Sequence, residues 1–209
     1  MNRPNSHAEV AELLGGIDVY LLDQIVKGRL NHRPRVIDVG CGAGRNLSLL
    51  MEIGHQVYGV DPEERAIEAV RELAQRVRPD LEAENFCCAT LEECPFPAES
   101  FDLVISNAVL HFATGSDHFA RMLRGSWRFL APGGLFFCRL ASSVGIEEFI
   151  EPQGDGCFRL GDRSTRYLVD LEALLAWTDQ LGGRLVEPIK TTNVQNLRAM
   201  TTWVLERSP

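Results

Sequence analysis

Gly40-Cys41-Gly42-Ala43-Gly44 follows the apolar run Val36-Ile37-Asp38-Val39 and precedes a helical pattern. Glycine at alternate positions lets the backbone come into contact with a ligand, and a turn from strand to helix has free N–H groups to offer it. The dinucleotide fingerprint G-x-G-x-x-G needs glycine where Arg45 stands, so the observed G-x-G-x-G disfavours a nicotinamide dinucleotide. Asp61 closes the next apolar run, where a carboxylate can accept both hydroxyls of a ribose. Asp61-Pro62-Glu63-Glu64 also reads as a helix start, with an aspartate cap, proline at the first helical position and acids in the first turn. Ribose binding and helix capping are the two roles open to Asp61.

Alternating patterns predict the elements that must position these residues. Ser6 and Glu9 have capping-box spacing, and Gly15-Gly16 divides the N-terminal region into two short helices. Strands are expected at 36–39, 56–60, 83–88, 101–106 and 134–140, with helices at 46–53, 62–77 and 116–130 between them. That alternation requires right-handed crossovers and a mostly parallel, doubly wound sheet. Phe119, Leu123 and Trp127 form one buried stripe, and Leu171, Leu174 and Leu175 another, after Asp170 as N-cap. Runs at 185–191 and 197–206, joined by a turn at 193–196, predict an antiparallel C-terminal hairpin. The chain of 209 residues is read as one α/β domain: cap helices 1–34, a ligand-binding core 35–140, a lid segment 141–184 and the hairpin 185–209.

Twenty-one basic against twenty-nine acidic residues leave a formal charge of -8, which repels phosphate backbones and argues against a nucleic-acid partner. Acidic and basic residues interrupt the N-terminal thirty positions, so no membrane span is expected, and a cytoplasmic location is the default. Six cysteines without a C-x-x-C pair predict reduced thiols and no metal site, although Cys87, Cys88, Cys94 and Cys157 would be the soft ligands if a metalloid were bound.

Val-Ile-Asp-Val-Gly-Cys-Gly-Ala-Gly, Val-Tyr-Gly-Val-Asp, Ser-Phe-Asp-Leu-Val-Ile-Ser and Leu-Ala-Pro-Gly-Gly occur in that order between Val36 and about Leu140. Together they resemble the class I S-adenosylmethionine-dependent methyltransferases. The resemblance implies a Rossmann-like, seven-stranded sheet with an antiparallel end, S-adenosylmethionine as cofactor and S-adenosylhomocysteine as product. It further implies that Asp38, Gly40, Cys41, Gly42 and Gly44 surround the methionine portion and that Asp61 holds the ribose. The adenine would lie between Pro62 and Ala89-Thr90-Leu91. That family commonly has an acid near Thr90, and a threonine hydroxyl can accept one hydrogen bond in its place. Ser106 and Asn107, at the carboxyl end of a strand, are candidates to meet the methionine end. The Cys-Gly-Ala-Gly-Arg-Asn segment is similar to the tellurite-resistance methyltransferases, but the histidine those proteins carry near the C-terminus is missing, His118 being the last in this chain.

Methyl transfer needs alignment and exclusion of water more than covalent help. For a hydroxyl or amine acceptor, His111 is the best placed general base, with packing or capping as its alternative. Arg163, Arg166 and Tyr167 in the lid segment are candidates to contact a small-molecule acceptor, whether thiol, chalcogen oxyanion, hydroxyl or amine, the arginines suiting an anion. Two rival functions are an oxidoreductase using NAD and a cofactor-binding module without turnover.

Overall fold

The structure is a computed structural model in which residues 6–209 are described, and the chain forms two compact units, Met1–Thr90 and Leu91–Pro209. In the first unit, α1 (His7–Leu14) is capped by Ser6, whose hydroxyl accepts the N–H of Glu9. Gly15 ends that helix, and Asp18 caps α2 (Val19–Val26) by accepting the N–H of Tyr20 at 2.9 Å. The strands β1 (Arg35–Val39), β2 (Gln56–Asp61) and β3 (Phe86–Cys88) then pair in parallel, β1 with β2 and β2 with β3. Val36, Ile37 and Val39 are fully buried, as parallel strands covered on both faces require.

Between them, α3 is a short helix, Ser48–Glu52, and α4 runs Glu64–Val77. Ile67, Val70 and Ala74 form the buried stripe of α4 at helical spacing. Two helix starts fall later than the sequence pattern suggests. Gly44 O accepts from Leu47 N and Ser48 N, so a turn occupies the positions expected to open α3. Asp61 remains in β2, and Pro62 precedes α4 instead of entering it. Residues Ala83–Asn85 form a 3-10 turn, which shortens β3 to three residues.

The second unit contains β4 (Phe101–Asn107), α5 (Ser116–Trp127) and β5 (Leu130–Ser142), with β4 and β5 parallel. The Pro132-Gly133-Gly134 segment does not merely stop a helix: it lies inside β5, where the register shifts between Phe101 and Leu103. Such an irregularity absorbs a proline that cannot donate to the ladder. Phe119 and Leu123 of α5 are fully buried, and Trp127 meets Phe136 edge to face at 5.6 Å.

The lid segment holds an antiparallel sheet that the sequence reading missed: β6 (Glu151–Gly154), β7 (Cys157–Arg159) and β8 (Thr165–Tyr167). It has its own small core of Ile146, Leu160 and Leu168 with Ala141 and Ala199. Three contacts tie it to α5 and the 3-10 turn Leu110–Phe112 before it. Tyr167 stacks on Phe119 at 4.7 Å, Cys157 Sγ donates to Ala113 O, and the Asp155 carboxylate lies where a Cβ on Gly115 would be.

Asp170 caps α6 (Leu171–Gln180) through Ala173 N at 2.7 Å. Of the expected stripe, only Leu174 is buried, while Leu171 and Leu175 are exposed. Three further strands follow, β9 (Gly183–Leu185), β10 (Lys190–Val194) and β11 (Arg198–Arg207); both β9 and β10 run antiparallel to β11, which is antiparallel to β5. The hairpin between β10 and β11 turns at Gln195-Asn196, both at positive φ, and Asn193 Oδ1 accepts Asn196 N at 2.7 Å. Pro188 and its neighbours separate β9 from β10, so the expected 185–191 strand is two strands. Among the described residues the first unit holds the parallel strands β1, β2 and β3, and the second holds β4, β5, β9, β10 and β11 besides the lid strands.

Candidate functional site

Gly40, Gly42 and Gly44 all have positive φ, at 75°, 53° and 82°. Their surroundings differ. A Cβ on Gly44 would meet Val70 Cγ2 at 2.6 Å, so this glycine packs the loop against α4. A Cβ on Gly42 would meet nothing within 4 Å, so the tip of the loop stands open. The loop does not offer its N–H groups as freely as expected. Val60 O accepts from both Gly40 N and Cys41 N, Cys41 O from Gly44 N, and Asp61 Oδ2 from Gly42 N at 2.9 Å. Gly59, not recognised in the sequence, makes this fold-back feasible, since any Cβ there would lie 2.8 Å from Cys41 Sγ.

Asp61 is buried at the end of β2, and its second oxygen accepts Glu63 N at 3.0 Å. This is an Asx turn, not an N-cap of α4, whose Glu63 cap makes no side-chain hydrogen bond. Each carboxylate oxygen has two lone pairs, so one on each remains for a ligand hydroxyl. Pro62, Cys88 and Thr90 are exposed beside Asp61, with Cys88 Sγ donating to Pro62 O.

Asp38 is 1% exposed, and burial holds its carboxyl far above the usual carboxylate range, at about 8, against smaller opposing effects from Asn46 and Arg45. Asn46 was not singled out in the sequence, yet it connects two elements. Its Nδ2 donates to Asp38 Oδ2 at 3.4 Å, and its Oδ1 accepts Asp18 N at 3.1 Å, at the start of α2. Asp38 Oδ1 is buried without a partner. Burial also pushes the Cys41 thiol upward, so it is an uncharged packing group.

In the second unit, Ser106 is fully buried opposite Cys138 in the β4–β5 register, and its Oγ is enclosed without a hydrogen-bond partner. Asn107, at the end of β4, is 6% exposed, and neither Nδ2 nor Oδ1 has a partner. The next residue, Ala108, has φ 63°, a conformation costing an alanine about 1 kcal/mol. An unpaired buried amide beside a strained residue is the pattern of a site awaiting a polar ligand. Leu91 is buried under Gly125 and gives its carbonyl to Arg128.

His111 sits in the 3-10 turn Leu110–Phe112 and is 6% exposed. Ala141 N donates to its Nδ1 at 3.1 Å, so that nitrogen's lone pair is occupied and the ring proton resides on Nε2. Burial first, then the charges of Arg166 and Arg139, lower its pKa to about 4. This geometry suits a hydrogen-bond donor and not the general base expected from the sequence. The Arg166 guanidinium lies 4.8 Å from the centre of the Phe112 ring, which is itself 4.7 Å from the imidazole. Tyr167 is held between Phe119 and the Gly156 backbone, and Arg163 is exposed at φ 69°.

The six cysteines are free thiols, and no group of three or more His, Cys, Asp or Glu among the described residues could hold a metal ion. No described helix is long and apolar enough to cross a membrane.

Residues 37–138 match the family described as methyltransferase domain. The chain is 28% identical over 178 residues to a tRNA U34 carboxymethyltransferase of Idiomarina loihiensis, covering 83% of this chain and 53% of that protein. It is 30% identical over 162 residues to a ubiquinone biosynthesis O-methyltransferase of Bradyrhizobium sp., covering 71% of this chain and 60% of that one. The chain therefore spans less than two thirds of the length of either relative. Among solved structures it shares its fold with the magnesium protoporphyrin IX methyltransferase of Synechocystis PCC 6803 with bound S-adenosylmethionine, at TM-score 0.65 and 18% identity, covering 100% of this chain and 86% of that one. The glycine loop and the strand-end aspartate fall within the matched segment, so residues 37–138 form a methyltransferase domain of that family, on the fold that the class I methyltransferases share.

Proposed function

We propose that the protein transfers a methyl group from S-adenosylmethionine to a small-molecule acceptor and releases S-adenosylhomocysteine. The observation that carries this reading is the pairing of an open glycine tip at Gly42 with the buried carboxylate of Asp61, 2.9 Å from its N–H. When bound, the cofactor supplies a methyl group already activated by a sulfonium. Asp61 accepts the ribose hydroxyls through its remaining lone pairs, and Pro62 and Thr90 border the adenine. In the first unit Asp38 Oδ1, buried and unpaired, is a polar atom left for the methionine portion.

Since His111 offers no lone pair, alignment and exclusion of water would account for the rate acceleration. Arg166 and Tyr167 of the lid would border the acceptor, with Arg163 at its outer rim. The formal charge of -8 supports a small molecule over a nucleic acid. Six free thiols support a reducing, cytoplasmic setting.

Calorimetry with S-adenosylhomocysteine and with NADH tests the cofactor, and transfer of a labelled methyl group to thiols, phenols, amines and carboxylates tests turnover. Binding of S-adenosylhomocysteine alone, with label transferred, is expected. Binding of NADH alone would overturn the reading, and tight cofactor binding with no transfer to any acceptor would mark a silent binding module.

A further inference from the structure

We propose that the Nε2–H of His111 and the guanidinium of Arg166 bind a carboxylate on the methyl acceptor, an inference that rests on the methyltransferase function proposed above. The position of the histidine proton follows from the backbone. A main-chain N–H can only donate, so the 3.1 Å contact from Ala141 N makes Nδ1 the acceptor and Nε2 the donor. Nothing among the described residues accepts from Nε2, although the residue is only 6% exposed. Nε2 is not one of the fully enclosed polar atoms that lack a partner, so it keeps a path to solvent by which an acceptor atom can reach it.

Arg166 is the second half of the site. Its guanidinium lies against Phe112, the ring that also lies against the His111 imidazole, at 4.8 Å and 4.7 Å respectively. Its side chain makes one hydrogen bond among the described residues, from Nη1 to its neighbour's carbonyl, Thr165 O, and no ion pair. Asp162, whose carboxyl is held low chiefly by Ser164 and more weakly by Arg198 and Arg166, uses its Oδ1 to accept Ser164 N at 2.9 Å and Ser164 Oγ at 2.6 Å and makes no ion pair with Arg166.

A half-buried guanidinium with unused N–H groups and a fixed neutral N–H donor, both against the Phe112 ring, select a planar anion with two acceptor oxygens. The 58% exposed Phe112 ring adds an apolar surface next to that anion, which favours an aromatic or otherwise apolar carboxylate. The positive charge of Arg166 also helps keep His111 neutral, so the donor persists across the ordinary pH range.

The experiment titrates the full chain with benzoate and with its neutral isostere benzamide, in the native protein and in Arg166→Gln and Arg166→Lys. The imidazole nitrogens are 15N-labelled, and S-adenosylhomocysteine is titrated separately. Benzoate is expected to bind at least tenfold more tightly than benzamide and to shift the Nε2 resonance. Arg166→Gln should lose at least tenfold in benzoate affinity, Arg166→Lys should recover part of it, and S-adenosylhomocysteine binding should be unchanged in both variants.

Equal affinity for benzoate and benzamide, an unmoved Nε2 resonance, or full benzoate binding by Arg166→Gln would overturn the carboxylate site while leaving the methyltransferase reading intact. A tenfold loss of S-adenosylhomocysteine affinity in Arg166→Gln would also overturn it, by assigning the arginine to the cofactor's own carboxylate. Failure of the native protein to bind S-adenosylhomocysteine would instead remove the methyltransferase reading, with the benzoate data still deciding whether a carboxylate is bound.

Discussion

The Asp61 carboxylate accepts the backbone N–H of Gly42 at 2.9 Å across a sequence separation of nineteen residues, so the group expected to hold a sugar also shapes the loop beside it. The aspartate has a structural and a ligand-binding task at once, and the two separate by substitution. Asp61→Ala should weaken S-adenosylhomocysteine binding by about 1.5–3 kcal/mol, the range for hydrogen bonds to a charged group, as read by calorimetry. Asp61→Asn keeps one acceptor oxygen and should lose less. Unchanged affinity in Asp61→Ala would confine the residue to holding Gly42 and Glu63.

Glycines 42 and 44 share a left-handed backbone but not a neighbourhood. Gly42→Ala should cost about 1 kcal/mol of stability, from φ alone. Gly44→Ala adds a collision with Val70 and Leu73 and should cost about 2–3 kcal/mol, measured by urea denaturation. Equal losses would mean that α4 yields to the added methyl group.

Burial of neutral His111 ties stability to pH. Its folded pKa of about 4 lies below the ordinary 6.5, so the unfolded chain takes up the proton first as pH falls. The stabilisation is complete above pH 6.5 and is lost progressively down to pH 4, by at most about 3 kcal/mol. His111→Gln should flatten that part of the pH–stability curve. A native curve already flat between pH 4 and 6.5 would contradict the buried neutral imidazole.

Asp38 acts in the opposite sense. Its folded pKa, raised from 3.8 to about 8, makes its contribution fullest below pH 3.8 and lost as pH rises through 8. Between pH 6.5 and 8 His111 contributes no slope, so a falling denaturation midpoint there reports Asp38. Asp38→Asn should remove the decline and leave the variant more stable than the native chain at pH 9. Parallel curves for the two proteins would place an ionised carboxylate in the native core.

The loop and strand end were legible in the sequence because their signals are local: alternating glycines after a buried run, and an acid where the next run stops. Helix starts were displaced by hydrogen bonds between elements, as when Gly44 O holds Leu47 and Ser48 in a turn. Asn46 went unrecognised because its meaning lies in Asp18 and Asp38, which no spacing rule links to it. The lid strands were hidden for another reason. Each is three or four residues long, too short for alternation to register, and β6 is exposed throughout. His111 was read as a candidate base or a packed histidine, and which nitrogen carries its proton depended on Ala141, thirty positions away.

Gly115 leaves room for the carboxylate of Asp155, and even a methyl group there would sit 2.1 Å from Oδ2. Its φ of 163° is one any amino acid adopts, so a larger residue would fold in place and evict the hairpin instead. That makes position 115 an engineering handle: bulk introduced at this single site should prise the lid off α5 and widen the range of molecules admitted, without altering any atom assigned to the cofactor.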